Sequence, residues 1–335
     1  MSILVTGSAG FIGYHVTRRL LAAGETVVGL DNLNSYYDPA LKQTRLSHLT
    51  ADERFTEARI SLEERDKVMA LFEEHKPDRV IHLAAQAGVR YSLEAPQTYV
   101  DSNITGFLSI LEAARAFKTG HVVFASTSSV FGLDGAMPLS THRGGNHPVS
   151  FYAATKKANE AMAHSYAHLF RIPLTGLRFF TVYGPWGRPD MALFKFTKAI
   201  LADEPVDLYN NGDMVRDFTF VDDIVEGIVR IADKPATPAQ DWDPQTMDPA
   251  TSSAPYRIFN IGNSQPVQLL DYLDAIEKAV GKPAIRNLMP MQPGDVAATW
   301  ADTTDLEAAT GFKPATPVEV GVKAFVDWYR DYYGV

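Results

Sequence analysis

The sequence predicts an α/β protein: a doubly wound parallel sheet joined to a smaller C-terminal mixed α/β domain. Three observations predict it. Short runs rich in Val, Ile, Leu and Phe recur at Ile3–Thr6, Thr26–Leu30, Arg79–Leu83, His121–Ala125 and Leu174–Phe180, as in strands buried on both faces. Between them lie segments with helical spacing: Ile12, Val16 and Leu20; Val68, Leu71 and Phe72; Ile104, Leu108 and Leu111. Such alternation builds a parallel sheet with helices on both sides. Third, the rhythm breaks after Phe180. A turn-rich crossing at Tyr183–Pro189 leads into a helical stretch, Leu193–Leu201. Phe218–Val221 with helix-like Ile224–Ala232, and then Arg257–Ile261, read as returns to the sheet, while Lys234–Pro255, with five prolines, reads as a long surface loop. The expected division is 1–180 plus 217–262 for the larger domain and 181–216 plus 263–335 for the smaller.

The 335 residues are 46% apolar, enough for a full core. With 21% charged residues and a net charge of −9, the surface is mildly acidic, which argues against a nucleic-acid or anionic-membrane partner. The absence of cysteine excludes disulfides, thiolate metal sites and cysteine nucleophiles. The start, Met1-Ser2-Ile3-Leu4-Val5-Thr6, lacks the pattern of a secretory leader, and no apolar run approaches the roughly 20 residues of a membrane span. The expectation is a soluble, cytoplasmic protein with no metal.

Gly7-Ser8-Ala9-Gly10-Phe11-Ile12-Gly13 follows a predicted strand and opens a predicted helix. Its glycines permit a tight turn, close approach of a pyrophosphate to main-chain N–H groups, and close helix–strand packing. Asp31, followed by Asn32, stands at the end of the second predicted strand, where a carboxylate binds the adenosine ribose hydroxyls and repels a 2′-phosphate. The pattern points to NAD, with Gly7, Gly10, Phe11, Ile12, Gly13, Asp31 and Asn32 as its contacts.

Tyr152-Ala153-Ala154-Thr155-Lys156 sets Tyr152 and Lys156 on one helical face. A tyrosine titrates near 10 and is a poor base at neutral pH; an adjacent ammonium and the cationic nicotinamide are expected to lower it. Upstream, Ser126-Thr127-Ser128-Ser129 ends a predicted strand, placing four hydroxyls at the carboxyl edge of the sheet.

The G-x-x-G-x-x-G spacing, with the hydroxyl cluster and Y-x-x-x-K behind it, resembles the short-chain dehydrogenase/reductases, and over essentially the whole length their sugar-nucleotide epimerase branch. The resemblance implies a Rossmann-like domain with a smaller sugar-nucleotide-binding domain. Leu83, Ala84, Ala85 and Gln86 would lie under the adenosine and its phosphates, Thr127 would share the substrate's hydroxyl proton with Tyr152, and Lys156 would complete the catalytic set and hold the nicotinamide ribose. Ser61 departs from the family, many of whose members carry Asp near the adenine. Related dehydratases and decarboxylating enzymes carry acidic residues just after the Thr; here Ser128 and Ser129 stand there, which favours oxidation, rotation and re-reduction at C4.

The stretches Asp31–Asp38, Ala87–Ser92 and Leu177–Ala192 resemble UDP-glucuronate 4-epimerases, implying conversion of UDP-glucuronate to UDP-galacturonate. A C5 carboxylate needs charge-assisted partners, which Arg188 with Ser128 and Thr181 would supply, alongside Ser129. Arg90 is either substrate-side or structural. By resemblance Arg216 reaches the diphosphate and Asp295 the uridine ribose, while Gln292 replaces a family Arg and cannot neutralise phosphate. The helices at Asn103–Phe117 and Tyr152–His168 resemble the family's dimer bundle, implying a homodimer. Three other readings stay open: an epimerase of a neutral UDP-hexose (UDP-glucose or UDP-N-acetylglucosamine), a reductase that consumes external NAD(P)H, and a non-catalytic NAD-sensing protein.

Overall fold

In the first strand, Ser2–Thr6 (β1), Ile3 and Val5 pack into one apolar cluster and Leu4 into another, because successive side chains leave opposite faces of a sheet. The computed structural model describes residues 2–292 and 295–335. After β1 come α1 (Phe11–Ala22), β2 (Thr26–Leu30), α2 (Pro39–Leu49), β3 (Phe55–Ala58), α3 (Arg65–His75) and β4 (Arg79–His82). Two single turns, α4 (Tyr91–Glu94) and α5 (Pro96–Tyr99), lead through a π-helical stretch at Val100–Thr105 into α6 (Gly106–Phe117), β5 (His121–Thr127), α7 (Phe151–Phe170) and β6 (Leu174–Phe179). The second half holds β7 (Thr181–Tyr183), α8 (Ala192–Leu201), β8 (Pro205–Leu208), β9 (Val215–Phe220), α9 (Val221–Ala232) and β10 (Tyr256–Ile261). It ends with β11 (Pro266–Gln268), α10 (Leu269–Val280), β12 (Ile285–Leu288), β13 (Ala298–Thr299), α11 (Thr304–Thr310) and α12 (Val318–Tyr333).

Seven strands form a parallel sheet in the order β10-β6-β5-β4-β1-β2-β3. Residues of α1, α2 and α9 fill the cluster on one face and residues of α3, α6 and α7 the cluster on the other. A third cluster joins α8, α10 and α12 with β8 and β9, where Phe218 and Tyr272 stack at 3.7 Å. No helix among the described residues is long and apolar enough to cross a membrane.

Three expectations change. β3 was not expected: only Phe55 of its four residues is buried, so it carries no apolar run. Phe218–Phe220 does not return to the large sheet. It belongs to β9, which pairs with β7, β11 and β13 in a smaller sheet, and only α9, opened by Val221, and β10 rejoin the large one. Its Phe218 is drawn away by the aromatic rings of the third cluster. Leu108 does not face inward with Leu111 but is 40% exposed. The π-helical stretch before α6 shifts the helical phase, and the buried face becomes Phe107, Ile110, Leu111 and Ala114. Lys234–Pro255 contains no helix or strand, as expected of a loop, although Ala250, Ser252 and Ala254 are buried.

One buried ion pair fixes α7 to the sheet. Arg178 of β6 donates from Nε and Nη2 to the two carboxylate oxygens of Glu160 at 2.8 and 2.9 Å, and Ser126 of β5 donates to the same carboxylate at 2.7 Å. Burial works to raise Glu160, but Arg178, Lys157 and Ser126 outweigh it and hold the carboxyl below its ordinary value. Breaking such a pair strands a buried charge. Arg178→Met is expected to cost about 3–5 kcal/mol in chemical denaturation, while the double variant Arg178→Met with Glu160→Gln recovers much of the loss.

Candidate active site

Two clefts meet at the carboxyl ends of the central strands, where β1 and β4 lie side by side although β4 follows β3 in the chain. This is the switch point at which open α/β sheets bind ligands. The first cleft is lined by Gly7, Gly10, Phe11, Ile12, Gly13, Asp31, Asn32, Leu83, Ala84, Ala85, Gln86, Tyr152 and Lys156, which are all the residues expected at the cofactor. Gly7 has φ of +74°, and a methyl on it would lie 2.9 Å from the Ala84 nitrogen. A methyl on Gly13 would sit 1.9 Å from the Gly7 carbonyl oxygen, so the helix packs on the turn only without a side chain. The first turn of α1 has no side-chain cap, which leaves its N–H groups for an anion. The Asp31 carboxylate accepts from the Ala9 and Leu33 N–H groups at 3.1 and 2.8 Å, using two of its roughly four acceptor sites. Asn32 donates to Ser61 at 3.2 Å, so Ser61 is tied to the ribose end of the cleft. A glycine cradle, an uncapped helix end and a carboxylate at the tip of β2 fit a dinucleotide without a 2′-phosphate.

The second cleft contains Arg90, Thr127, Ser128, Ser129, Thr181, Arg188, Arg216 and Asp295, all the residues expected on the substrate side. Thr127, Tyr152 and Arg188 line both clefts. Thr127 ends β5, and its hydroxyl lies 3.2 Å from the Ser129 hydroxyl and accepts from the Ser129 N–H. Tyr152 stands in the first turn of α7, capped by Ser150, whose hydroxyl accepts from the Ala153 N–H at 3.1 Å. Burial pushes the Tyr152 phenol above its ordinary value, against the opposing influence of Thr127 and Arg188. Here the expectation is corrected. The groups that draw the phenol down are Thr127 and Arg188, not Lys156. The Lys156 ammonium donates to the Ala125 carbonyl at 2.9 Å and is itself lowered to about 8 by burial.

Arg188 does not present a bare charge. Its Nε donates to Asp190 Oδ1 at 3.0 Å, its Nη2 donates to Asp190 Oδ2, and the Tyr36 hydroxyl donates to that oxygen at 3.2 Å. Asp190 outweighs burial and raises Arg188 above its ordinary value, and Arg188 likewise holds Asp190 below its own. Burial, then the Asp190 charge, pushes Tyr36 up to about 12. Arg90 pairs with Asp295 at 3.3 Å and lies over the Tyr209 ring at 4.7 Å. Arg216 donates to the carbonyls of Val215, Val296 and Ala297. Gln292 lies within the described residues; Pro293 and Gly294 lie outside them.

Sequence reasoning gave no role to Tyr36, Asp190, Lys42 or Asn103. Tyr36 and Asp190 fall within quoted stretches, yet nothing in their spacing says that they meet. Lys42 donates to both oxygens of Asn34 at 2.7 Å and lines the first cleft. Asn103 sits in the π-helical stretch, where it exchanges hydrogen bonds with the Gln86 main chain at 2.8 and 3.0 Å and donates to Thr155 at 3.1 Å. It thereby joins the segment after β4 to the helix that carries Tyr152.

The fold and the two clefts define an NAD dependent epimerase/dehydratase, and the chain belongs to that family, whose profile matches residues 3–262. It is 53% identical over 333 residues to Protein CapI of Staphylococcus aureus, covering 99% of each chain. It is 49% identical to the probable UDP-glucuronate 4-epimerase of Rhizobium meliloti (strain 1021), covering 99% of this chain and 98% of that one. Among solved structures it superposes on UDP-glucuronic acid 4-epimerase from Bacillus cereus in complex with UDP-glucuronic acid and NAD, with a TM-score of 0.87 and 33% identity over 99% of this chain and 100% of that one.

Gly13→Ala tests the cradle. The methyl has no space beside the Gly7 carbonyl, so the variant is expected to retain at least about tenfold less NAD through purification, read from the dinucleotide absorbance of denatured supernatant.

Proposed function

We propose that this enzyme interconverts UDP-glucuronate and UDP-galacturonate by oxidising C4, turning the 4-keto sugar in the site and reducing it on the other face. The observation that carries the reading is the place of Arg188, at the join of the two clefts beside Thr127 and Tyr152, with Ser128 and Ser129 where elimination would need carboxylates. UDP-glucuronate 4-epimerases among the relatives and neighbours support it.

In this reading Tyr152 takes the C4 hydroxyl proton and returns it, with Thr127 sharing the hydrogen bond. Lys156, charged at neutral pH because its value lies near 8, holds the nicotinamide ribose and supplies positive charge to the nicotinamide end of the cleft. NAD held in the first cleft would supply the acceptor, and then the donor, of the C4 hydride. Gly7, Gly10, Phe11, Ile12 and Gly13 hold the pyrophosphate, Asp31 and Asn32 the adenosine ribose, and Leu83, Ala84, Ala85 and Gln86 the floor beneath. Arg188, with Ser128, Ser129 and Thr181, holds the C5 carboxylate; because Asp190 takes Nε and one side of Nη2, the sugar meets the Nη1 side of the guanidinium. Arg216, whose hydrogen bonds go to carbonyls and not to a carboxylate, keeps charge for the diphosphate. Asp295 meets the uridine ribose, with Arg90 paired behind it.

Residues 1–180 with 217–262 form the NAD domain in this reading, apart from β9, which pairs in the smaller sheet, and 181–216 with 263–335 form the sugar-nucleotide domain. Homodimerisation through the outer faces of α6 and α7 belongs to it too, supported by exposed Leu108, Leu169 and Phe170. So does cytoplasmic residence, where NAD and nucleotide sugars are available. The neutral-hexose and NAD-sensing readings leave the Arg188 arrangement and the intact Thr127, Tyr152 and Lys156 set without purpose.

NMR of purified enzyme with UDP-glucuronate and no added reductant is expected to give UDP-galacturonate; a need for external NADPH means a reductase instead. Tyr152→Phe should lower turnover at least about 10²-fold with NAD still bound. Arg188→Ala is expected to lower kcat/KM for UDP-glucuronate roughly 10- to 150-fold, the effect of one hydrogen bond to a charged group, and to do far less to UDP-glucose. Equal losses on both sugars overturn the carboxylate assignment.

A further inference from the structure

Epimerisation asks two opposed things of Arg188. It must hold the sugar's carboxylate while C4 is oxidised, and it must release that carboxylate so that the keto sugar can turn. An uncompensated guanidinium in a half-desolvated cleft makes release costly, because the charge it leaves behind has no water shell to return to.

We propose that Asp190 is a turnover-determining residue: a resident carboxylate that keeps Arg188 neutralised while the substrate's own carboxylate leaves and rebinds. The inference deepens the UDP-glucuronate reading and rests on it. The pair is bidentate, with the Arg188 Nε–H···Oδ1 bond at 3.0 Å. It is not sealed in the core. The Arg188 and Asp190 side chains are 22% and 29% exposed, and both line the substrate cleft. The Tyr36 hydroxyl donates to Asp190 at 3.2 Å, so the carboxylate keeps a partner when Arg188 leans toward the sugar. At neutral pH that phenol stays protonated and remains a donor. Release of the sugar from the Nη1 side then leaves the guanidinium still paired with Asp190 through Nε and Nη2. No proton moves and no covalent bond breaks in this step.

A purely structural Asp190, holding Arg188 in shape, predicts the opposite sign on removal, which makes the idea testable. In the NAD-loaded Tyr152→Phe background, where turnover is slowed at least about 10²-fold, calorimetry compares UDP-glucuronate binding with and without Asp190→Asn. Removing the competing charge is expected to tighten UDP-glucuronate about tenfold, the low end for a hydrogen bond to a charged group, and to leave UDP-glucose within about twofold. With Tyr152 restored, Asp190→Asn should lower both KM and kcat for UDP-glucuronate about tenfold, because a better-held intermediate turns more slowly. Asp190→Glu, which keeps the charge, should move both constants back toward wild type. Unchanged or weaker UDP-glucuronate binding in Asp190→Asn overturns the proposal, as does a fall in kcat with KM unchanged or raised. If the amide variant fails to fold, Asp190→Ser reads the same contrast. A wild-type enzyme that does not convert UDP-glucuronate defeats the parent reading first, and that failure is distinct from the outcomes at Asp190.

Discussion

Arg45, on α2, has no exposed surface, and its guanidinium donates to the Ala9 carbonyl, the Tyr37 hydroxyl and the Trp186 carbonyl, the first two at 2.9 and 2.8 Å. A buried cation is costly unless its N–H groups find acceptors, and all of those on Arg45 but Nε do, so these three loops are held to one position by the cost of stranding it. The first is the glycine turn under the dinucleotide, and the third precedes Arg188 by two residues. Trp186 is also wedged among Tyr14 and His48 on one side and Trp328 and Tyr332 on the other, with ring centroids 5.1–5.6 Å apart. The cofactor cradle and the sugar-facing arginine are therefore placed by one shared support, although about 175 positions of chain separate them.

The same economy holds around Tyr152. Its helix is fixed by Glu160 below and by Asn103 at the side, and the Lys156 ammonium is fixed by a strand carbonyl. Burial pushes the phenol up, and the Thr127 hydrogen bond and the Arg188 charge oppose it. In the proposed mechanism the nicotinamide adds a second positive charge.

Much of this was legible in the sequence. Five of the seven strands of the large sheet announced themselves as apolar runs in the first half and β10 as a return, because a strand buried on both faces is mostly apolar. The glycine turn and the Tyr152–Lys156 face were legible from local motifs, a turn that only glycine can make and a helical spacing that aligns two side chains, whereas Leu83–Gln86, Arg216 and Asp295 came through the family resemblance. What escaped shares one cause. The edge strand β3 has one buried residue, the phase of α6 is set by a π-helical stretch with no sequence signature, and the pairing of Tyr36 with Asp190 spans 154 positions. Periodicity reports what one segment does, and these features are decided by what a distant segment brings to it.

The two-stranded pairing of β8 with β12, separate from both other sheets, carries a consequence for synthesis. β8 pairs with β12, Leu208 against Leu288, and the apolar face of α8 is covered by α10 and α12, all from the last third of the chain. A nascent chain grows from its N-terminus, so the large sheet lacks only its edge strand β10 long before these partners emerge. In that interval Leu193, Phe194, Phe196 and Ile200 lack the part of their cluster that α10 and α12 supply. The risk of misassembly is thus concentrated in one segment next to the crossing that bears Arg188. Trp186 gains two of its ring neighbours only when α12 folds onto it. A chain still on the ribosome can complete its dinucleotide cradle while the sugar pocket stays open, and the order of synthesis becomes the order in which the two halves of the site are completed.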